Sequence, residues 1–404
     1  IFSDLELSFT DAFFESMSGI TTTGSTVISG LDNLPKGILI WRSLLQWIGG
    51  IGIIVIAVAI LPILKIGGMQ LFHTESTDSS GKVLPRAAQL AIAIGTIYFS
   101  LTLLCAFFLW FFGMSFFDAI AHSMTTLATG GFSTSDSSIG KFNNVNIEII
   151  ISIFMLLGSL PFVLYLQAVK GDIFSVFKDS QVQSFLFLVF FAIIAVVFWE
   201  YQTTDNFLST FRSSVFNTIS VFTGTGYSTQ DYNSWGSFVT ILFLFLMVIG
   251  GCAGSTTCGI KIFRLQILYK AVKSQIIKLL QPHTVVVPKY NRMPVSDAII
   301  TSVMGYFFMF ILSYVILTLI LSFLGNDFLT SLSGAATSIA NVGPGLGNII
   351  GPTKTFAELS DPSKWVLILG MLIGRLELFA VIVLLTPKLE FGQEQKMKRK
   401  ELVK

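Results

Sequence analysis

A short segment rich in glycine and threonine occurs four times in this sequence, and each copy lies next to apolar segments. The Asp-Ala pairs at 11–12 and 118–119 stand at the same distance before the first two copies, and the Phe-Ser-Thr of the second copy matches the Tyr-Ser-Thr of the third. This register aligns four glycines, with spacings of 107, 95 and 117 residues: Gly24, Gly131, Gly226 and Gly343. Such a fourfold internal repeat predicts four similar structural units.

Composition places these repeats in a membrane. Of the 404 residues, 53% are hydrophobic and only 12% are charged, and the mean hydropathy is +0.77, whereas soluble domains carry about 25% charged residues. We therefore expect an all-α polytopic membrane protein with four pseudo-symmetric helix–pore-helix–helix repeats around a central pore. The predicted repeats are 1–75, 76–180, 181–290 and 291–404. The first repeat lacks its leading outer helix, so an N-terminal region is expected to be missing from this sequence.

Each Gly/Thr segment follows a helix of about a dozen residues, which is too short to cross a bilayer and is typical of a re-entrant segment. Ser8 with Asp11, and Ser115 with Asp118, have the spacing of a capping box, and 208–222 and 328–340 take the same place in the other copies. The C-terminal ends of these helices would direct negative dipole ends toward a cation. Long spans are predicted at 38–64, 87–112, 146–167, 184–200, 236–260, 296–325 and 364–387.

The four Gly/Thr segments are the candidate ion-binding site. Glycine permits positive φ, which turns successive carbonyls toward one axis, and rings of carbonyls replace the hydration shell of a potassium ion. The alternative is that the segments are only turns between helices. A single copy would favour that alternative, whereas four copies favour a filter of carbonyl oxygens. The candidate filter residues are Thr21, Thr22, Thr23, Gly24, Ser25, Thr129, Gly130, Gly131, Phe132, Thr223, Gly224, Thr225, Gly226, Tyr227, Asn341, Val342, Gly343 and Pro344.

The distribution of basic residues predicts the orientation in the membrane. Loops on one side of the predicted spans hold 18 of the 25 Lys and Arg residues, so that side is expected to be cytoplasmic. The re-entrant segments then enter from outside, where acidic residues such as Asp32, Asp136, Glu148, Asp205 and Asp231 would concentrate cations. For any single one of these residues, an ordinary solvated loop charge is an equally good interpretation.

A run of small and polar residues, 250–259, interrupts the span after the third filter segment. Such a run favours an irregular loop that could obstruct or open the path beneath the filter, although a close helix–helix contact through small residues is the alternative. Arg375 and Glu377 lie inside the last span, where ionisable residues usually face a cavity or a partner. Arg375 could donate to carbonyls of this loop, or form a structural ion pair. The candidate gate residues are Gly250, Gly251, Gly254, Ser255, Thr256, Thr257, Gly259 and Arg375.

Two further basic residues follow the candidate gate loop. Lys261 and Arg264 are interpreted as anchors at the cytoplasmic interface rather than as ion ligands. The three histidines, at 73, 122 and 283, are scattered and receive no chemical role. No acid–base pair, metal cluster or nucleophile elbow occurs in the predicted spans, so an enzyme is not expected.

Taken together, the four filter segments, the Trp- and Gly-containing stretch 41–52, the break at 250–259 and Gly-Arg-Leu-Glu at 374–377 resemble the TrkH branch of the Trk/Ktr/HKT potassium transporters. The resemblance covers essentially the whole chain. It implies a homodimer with one pore in each subunit, and potassium uptake across the bacterial inner membrane. It also implies a gate at the break in the third repeat, contacted by the arginine of the last span.

The resemblance further implies partners and a mode of regulation. A cytoplasmic ring of nucleotide-binding subunits, which bind NAD(H) and ATP, would dock on the basic inner face. Membrane lipids are expected around the spans, and no nucleic acid is expected. An ion-coupled (H⁺ or Na⁺) potassium symporter with alternating access is the alternative, because broken helices at a midplane site are typical of carriers. Val342 and Pro344 depart from the Thr-Gly-Tyr pattern, so weaker ion discrimination is expected than in a symmetric filter.

Overall fold

The computed structural model describes residues 7–56, 83–172, 174–202, 207–284, 286–291 and 293–376, and most of these are in helices. The helices are α1 (Phe9–Ile20), α2 (Lys36–Val55), α3 (Val83–Phe111), α4 (Phe116–Leu127), α5 (Val145–Gly158), α6 (Phe162–Val169), α7 (Ser175–Lys178), α8 (Ser180–Tyr201), α9 (Phe207–Phe222), α10 (Ser237–Val248), α11 (Ile262–Leu280), α12 (Asp297–Phe323), α13 (Phe328–Ala340) and α14 (Asp361–Arg375). Two short antiparallel strands, β1 (Lys289–Tyr290) and β2 (Met293–Pro294), lie between α11 and α12. The predicted all-α class is confirmed.

Within the described residues, four helices are long and apolar enough to cross a membrane: α2, residues 89–111 of α3, α8 and α12. They correspond to the predicted spans at 38–64, 87–112, 184–200 and 296–325, and a bent helix pair would make a fifth crossing. Large apolar side chains cover their outer surfaces, as on α8, where Phe187, Phe190 and Phe198 are exposed. The chain is therefore a multi-pass membrane protein.

The prediction of a continuous span at 146–167 is wrong. Helix α5 ends at Gly158, α6 begins at Phe162, and the two are bent by 95°. Pro161 precedes the first residue of α6, and proline lacks the N–H that would continue the hydrogen-bond ladder. The span predicted at 236–260 is broken as expected, because α10 ends at Val248. The last predicted span is described only as far as Leu376, so Glu377 and the basic tail lie outside the described residues.

The four short helices α1, α4, α9 and α13 have 12, 12, 16 and 13 residues. Two of them begin with the predicted caps: the Ser8 hydroxyl accepts from the backbone N–H of Asp11, and the Ser115 hydroxyl accepts from that of Asp118, each at 3.1 Å. Asp327 caps α13 through the N–H groups of Leu329 and Thr330. Side-chain caps satisfy N–H groups that a helix end leaves unpaired.

The four short helices form a closed circle, in which they alternate with the helices that come directly after them in the chain. Helix α4 packs on α2 and α5, α9 packs on α5 and α10, α13 packs on α10 and α14, and α1 packs on α14 and α2. Each following helix therefore contacts two short helices, one from its own repeat and one from the next. This order brings the C-terminal ends of the short helices, and the loops after them, toward the middle of the circle.

We predict that the ion pair between α5 and α9 stabilises this circle. Arg212 donates twice to Glu148, at 2.7 Å each, and the Glu148 side chain is only 6% exposed. Arg212→Ala should leave this carboxylate buried without its cation, a loss of about 2 kcal/mol or more, and should lower the apparent Tm in detergent. Lys141→Ala is the matched control, because the pair of Lys141 with Asp32 is 43% and 40% exposed and should contribute below about 1 kcal/mol. Equal Tm values for the two variants would contradict the prediction.

Candidate functional site

The four aligned glycines lie in contact with one another's loops around a closed ring. A Cβ atom added at Gly24 would lie 2.1 Å from the carbonyl oxygen of Gly130, and one at Gly131 would lie 1.9 Å from that of Thr225. A Cβ atom at Gly226 would lie 2.8 Å from the backbone nitrogen of Gly343, and one at Gly343 would lie 3.4 Å from the carbonyl of Gly24. Each loop therefore touches the next, and the fourth returns to the first.

The backbone of each loop turns in the same way. The residue two positions before each aligned glycine has a positive φ: Thr22 (53°), Thr129 (48°), Gly224 (72°) and Asn341 (52°). The N–H groups of Thr23, Gly130 and Val342 each return to the carbonyl five residues earlier, which is the bond pattern that ends a helix at a left-handed residue. A β-branched residue in this conformation is a genuine outlier, and such outliers cluster at functional sites.

Side-chain hydrogen bonds join the loops to one another. The Ser25 hydroxyl donates to the carbonyl of Gly343 at 2.7 Å, and the Asn341 amide donates to the Thr23 hydroxyl at 2.9 Å. The Tyr227 hydroxyl lies 2.5 Å from that of Thr125 on α4. Within the first and third loops, paired threonine hydroxyls (Thr21 with Thr23, Thr223 with Thr225) lie 2.8 Å apart. The sequence-predicted filter residues are thus brought together.

Helix α2 supports the first two loops through two side chains, Gln46 and Arg42, that the sequence analysis did not single out. Gln46 donates to the carbonyl of Gly130 at 2.7 Å and accepts from the N–H of Phe132 at 3.0 Å. Arg42 forms an ion pair with Glu15 of α1 at 2.8 Å, and the two residues are 3% and 6% exposed. Ionisable residues within apolar helices are the signal that could have identified this pair.

A cavity of about 200 Å³ opens beside the ring and is contacted by all four aligned glycines. Hydroxyl groups of Ser25, Ser133 and Ser228 and the side chain of Arg42 also line it. Among the described residues, no three His, Cys, Asp or Glu side chains come together as a metal site. Apart from the carboxylate of Asp136, the oxygen atoms of the residues that line the cavity belong to carbonyls and hydroxyls, and carbonyl oxygens are ligands that potassium filters use.

The segment after α10 has no regular helix, and it docks on the broken end of α5. The N–H of Thr256 donates to the carbonyl of Gly158 at 3.2 Å, and the N–H of Cys252 donates to that of Ser159 at 3.0 Å. In return, the carbonyl of Gly254 accepts from the N–H of Phe162 at 3.0 Å. The two breaks thus satisfy backbone groups that each would otherwise leave unpaired within the protein.

Arg375 holds this loop against α2. Its guanidinium donates to the carbonyl of Thr256 at 3.2 Å and to the carbonyl of Gly49 at 2.7 Å, and it lies 2.9 Å from the Cys258 sulfur. Arg375 is 6% exposed. The loop also touches the ring, since the Thr256 hydroxyl lies 3.1 Å from that of Thr129. The loop therefore lies between the filter segments and the last helix.

The interpretation of Lys261 and Arg264 as interface anchors is wrong. Lys261 is 5% exposed and donates to the carbonyl of Thr257, while Arg264 is fully buried with its guanidinium 3.7 Å from the centre of the Tyr306 ring. Both residues stand at the start of α11, directly after the loop, and their low exposure shows that they face protein. Lys261 holds the loop through the carbonyl of Thr257, and Arg264 packs on Tyr306 of α12.

The acidic side chains on the filter side mostly have structural partners. Glu148 pairs with Arg212, and Asp32 pairs with Lys141, whose hydrogen bond is the main reason why the pKa of the Asp32 carboxyl lies below its usual value. Asp136 accepts from the N–H groups of Gly30 and Leu31. Asp205 lies outside the described residues. For these carboxylates, a role in local structure describes the contacts better than a role as free charges that concentrate cations.

Short helices whose C-terminal loops close into a ring within a bundle of apolar spans are typical of one class, the membrane proteins with pore loops. The family model TrkH, described as "Cation transport protein", matches residues 1–396. The chain belongs to the TrkH family.

Curated relatives and a solved structure agree with this assignment. The chain is 47% identical to the Trk system potassium uptake protein TrkI of Halomonas elongata over 95% of this chain and 78% of the relative. It is 41% identical to the Trk system potassium uptake protein TrkH of Vibrio parahaemolyticus over 94% of this chain and 79% of the relative. The crystal structure of the potassium transporter TrkH from Vibrio parahaemolyticus matches with a TM-score of 0.86 at 40% identity, covering 94% of this chain and 79% of that chain. Because these relatives are named as transport proteins, the family is one of transporters and not of enzymes.

We predict that Gly250→Ala loosens the loop. A Cβ atom there would lie 1.7 Å from the carbonyl oxygen of Cys258, a backbone clash that the loop relieves only by moving. In the wild type, Cys252 is fully buried. In Gly250→Ala, its labelling by a maleimide, followed by peptide mass spectrometry, should become about tenfold faster, which corresponds to a loss of about 1.4 kcal/mol of local stability. Gly52→Ala is the control, since nothing lies within 4 Å of its added Cβ. An unchanged labelling rate in Gly250→Ala would refute the prediction.

Proposed function

We propose that this chain is the membrane subunit of a potassium uptake system and conducts K⁺ through the ring of four Gly/Thr loops. The observation that carries the proposal is the closed ring itself, in which every aligned glycine approaches the backbone of the next loop. Left-handed residues at equivalent positions turn successive carbonyls to one side, and such carbonyls replace the hydration shell of the ion. The names of the relatives, potassium uptake proteins of the Trk system, supply the identity of the ion.

In this proposal, the chain consists of four repeats with the boundaries predicted from the sequence, and the filter residues act through their main-chain oxygens. The loop at 250–259 is the gate, and Arg375 is its latch on α2 and the last helix. Support for the gate comes from its position, because its Thr256 lies against both Thr129 of the second filter loop and the carbonyl of Gly158. A small movement of this loop would then alter the path below the filter.

The assembly is also part of the proposal. We place the chain in the bacterial inner membrane as a homodimer, with NAD(H)- and ATP-binding subunits docked on its cytoplasmic face. The supporting observation is charge: Lys261 and Arg264 of the segment 261–292 are buried, whereas its Lys273, Lys278 and Lys289 are exposed. The ion-coupled symporter remains the second candidate, favoured by the breaks in both the second and the third repeat. Saturation kinetics with a fixed ion stoichiometry in proteoliposomes would favour that candidate.

We predict that serine at an aligned glycine degrades ion selectivity. Gly24→Ser and Gly226→Ser place a Cβ atom at a φ of 88° or 82°, against the neighbouring loop, so the ring must widen. The preference for rubidium over sodium, measured as rubidium uptake into proteoliposomes in competition with sodium, should fall about tenfold, which corresponds to about 1.4 kcal/mol of discrimination. Gly37→Ser is the control, because no atom lies within 4 Å of its added Cβ. Wild-type preference in both filter variants would count against the filter role.

We predict that Arg375→Ala raises the basal flux of rubidium without regulatory subunits. The alanine removes the donors that hold the carbonyls of Thr256 and Gly49 together, so the loop opens more often; loss of one charge-assisted bond corresponds to about tenfold in such an equilibrium. Lys141→Ala, at an exposed ion pair on the filter side, should leave the flux unchanged. A flux that is equal to or below that of the wild type in Arg375→Ala would exclude the latch.

A further inference from the structure

Each filter loop is held by a polar side chain of its own pore helix. The position nine residues before the aligned glycine is Glu15, His122, Asn217 or Gly334. The first three reach the chain two or three residues beyond the glycine, and in the fourth loop the neighbouring Ser333 does so. We call Glu15, His122, Asn217 and Ser333 the filter braces.

The four braces make equivalent contacts with unequal chemistry. Glu15 accepts from the N–H of Val27 at 2.9 Å and from the Thr26 hydroxyl at 3.0 Å. The His122 imidazole lies 3.0 Å from the Ser133 hydroxyl.

In the other two loops the braces are an amide and a hydroxyl. Asn217 accepts from the N–H of Thr229 at 3.1 Å and donates to its hydroxyl at 2.8 Å. Ser333 accepts from the N–H of Leu346 at 3.0 Å. One brace is thus a carboxylate, and the others are uncharged hydrogen-bonding groups or an imidazole.

The charged brace also joins two loops through its cation. Arg42 donates three hydrogen bonds: from Nε to Glu15 at 2.8 Å, from Nη1 to the carbonyl of Ser133 at 3.0 Å, and from Nη2 to the Thr26 hydroxyl at 3.2 Å. Its guanidinium also lies 4.1 Å from the centre of the Phe132 ring. A planar fork of donors suits such a junction, since a lysine ammonium has no equivalent geometry. One buried cation therefore fixes the separation of the first and second loops just beyond the aligned glycines.

We propose that the Glu15–Arg42 pair sets the cation selectivity of the filter, as a pair of positioning residues that do not touch the ion. The inference rests on the proposed conduction of K⁺ through this ring. A filter discriminates through the number and field strength of its oxygens and the freedom of those oxygens to move. The pair holds the first and second loops in a fixed relation by charge-assisted bonds, which are roughly twice as strong as neutral ones. The third and fourth loops have only neutral braces.

Two variants test whether the pair sets ion selectivity by positioning the loops or only stabilises the fold. The double variant E15Q/R42Q removes both charges, so no uncompensated buried charge remains, and the Gln side chains can still accept from Val27 and donate within the site. R42K keeps the charge and loses the fork that reaches both Thr26 and Ser133. The readouts are rubidium uptake, sodium competition and thermal stability of the purified full chain in proteoliposomes or detergent.

We expect both variants to fold and to carry rubidium, and to lose about tenfold of the preference for rubidium over sodium, the factor that a hydrogen bond to a charged group carries. The matched control is E148Q/R212Q, which neutralises the pair of the partly exposed Arg212 with the buried Glu148. Its Tm should fall, while its preference for rubidium over sodium stays that of the wild type. Wild-type preference in folded E15Q/R42Q or R42K would overturn the inference. Failure of the wild type itself to prefer rubidium would instead refute the proposed function, so the two failures are distinguishable.

Discussion

The structure depends on one constraint: main-chain polar groups away from water must find partners within the protein. An unbroken helix pairs its main-chain groups internally. Short helices and broken spans leave more N–H and carbonyl groups free, and these groups need partners elsewhere in the protein. In the ring, the helix ends are closed by left-handed residues such as Thr22 and Asn341. Below the ring, the end of α5 and the loop after α10 pair with each other, as the bonds of Ser159 and Phe162 show. The interrupted helices thus provide hydrogen-bond partners for one another's free main-chain groups.

Three buried cations act in the same way. Arg42 donates to a carbonyl of the second Gly/Thr loop, Arg375 donates to carbonyls of the loop at 250–259 and of α2, and Lys261 donates to another carbonyl of the loop at 250–259. Each uses a charge-assisted bond, which is stronger than a neutral one, on a stretch of chain that has no regular secondary structure. Because these side chains come from neighbouring helices, a shift of one helix is transmitted to a loop.

Much of this arrangement could be predicted from the sequence, since repetition carries geometric information. The spacing of Gly24, Gly131, Gly226 and Gly343 was sufficient to predict four loops of one kind, and the small residues at 250–259 predicted the break there. The break after Gly158 was missed because apolar composition continues through it; Pro161 was the signal.

Pairings between distant residues were beyond the reach of one sequence. Glu15 and Arg42 are 27 residues apart, and nothing in the spacing indicates that α2 returns alongside α1 with these side chains facing each other. Likewise, Arg264 reads as an ordinary basic residue near a membrane interface, because it packs on Tyr306 of α12, a helix that begins more than thirty residues later. Local sequence patterns predict helices and loops. The partners of buried charged side chains depend on which helices pack together in the closed circle.

The most direct measurement is an anomalous difference map of the protein crystallised with rubidium or thallium ions. The account predicts density for the heavy cation on the axis enclosed by the aligned glycines, within coordination distance of main-chain oxygens of all four loops. Density confined to the outer acidic residues, or none between the loops at ion concentrations that support transport, would contradict it.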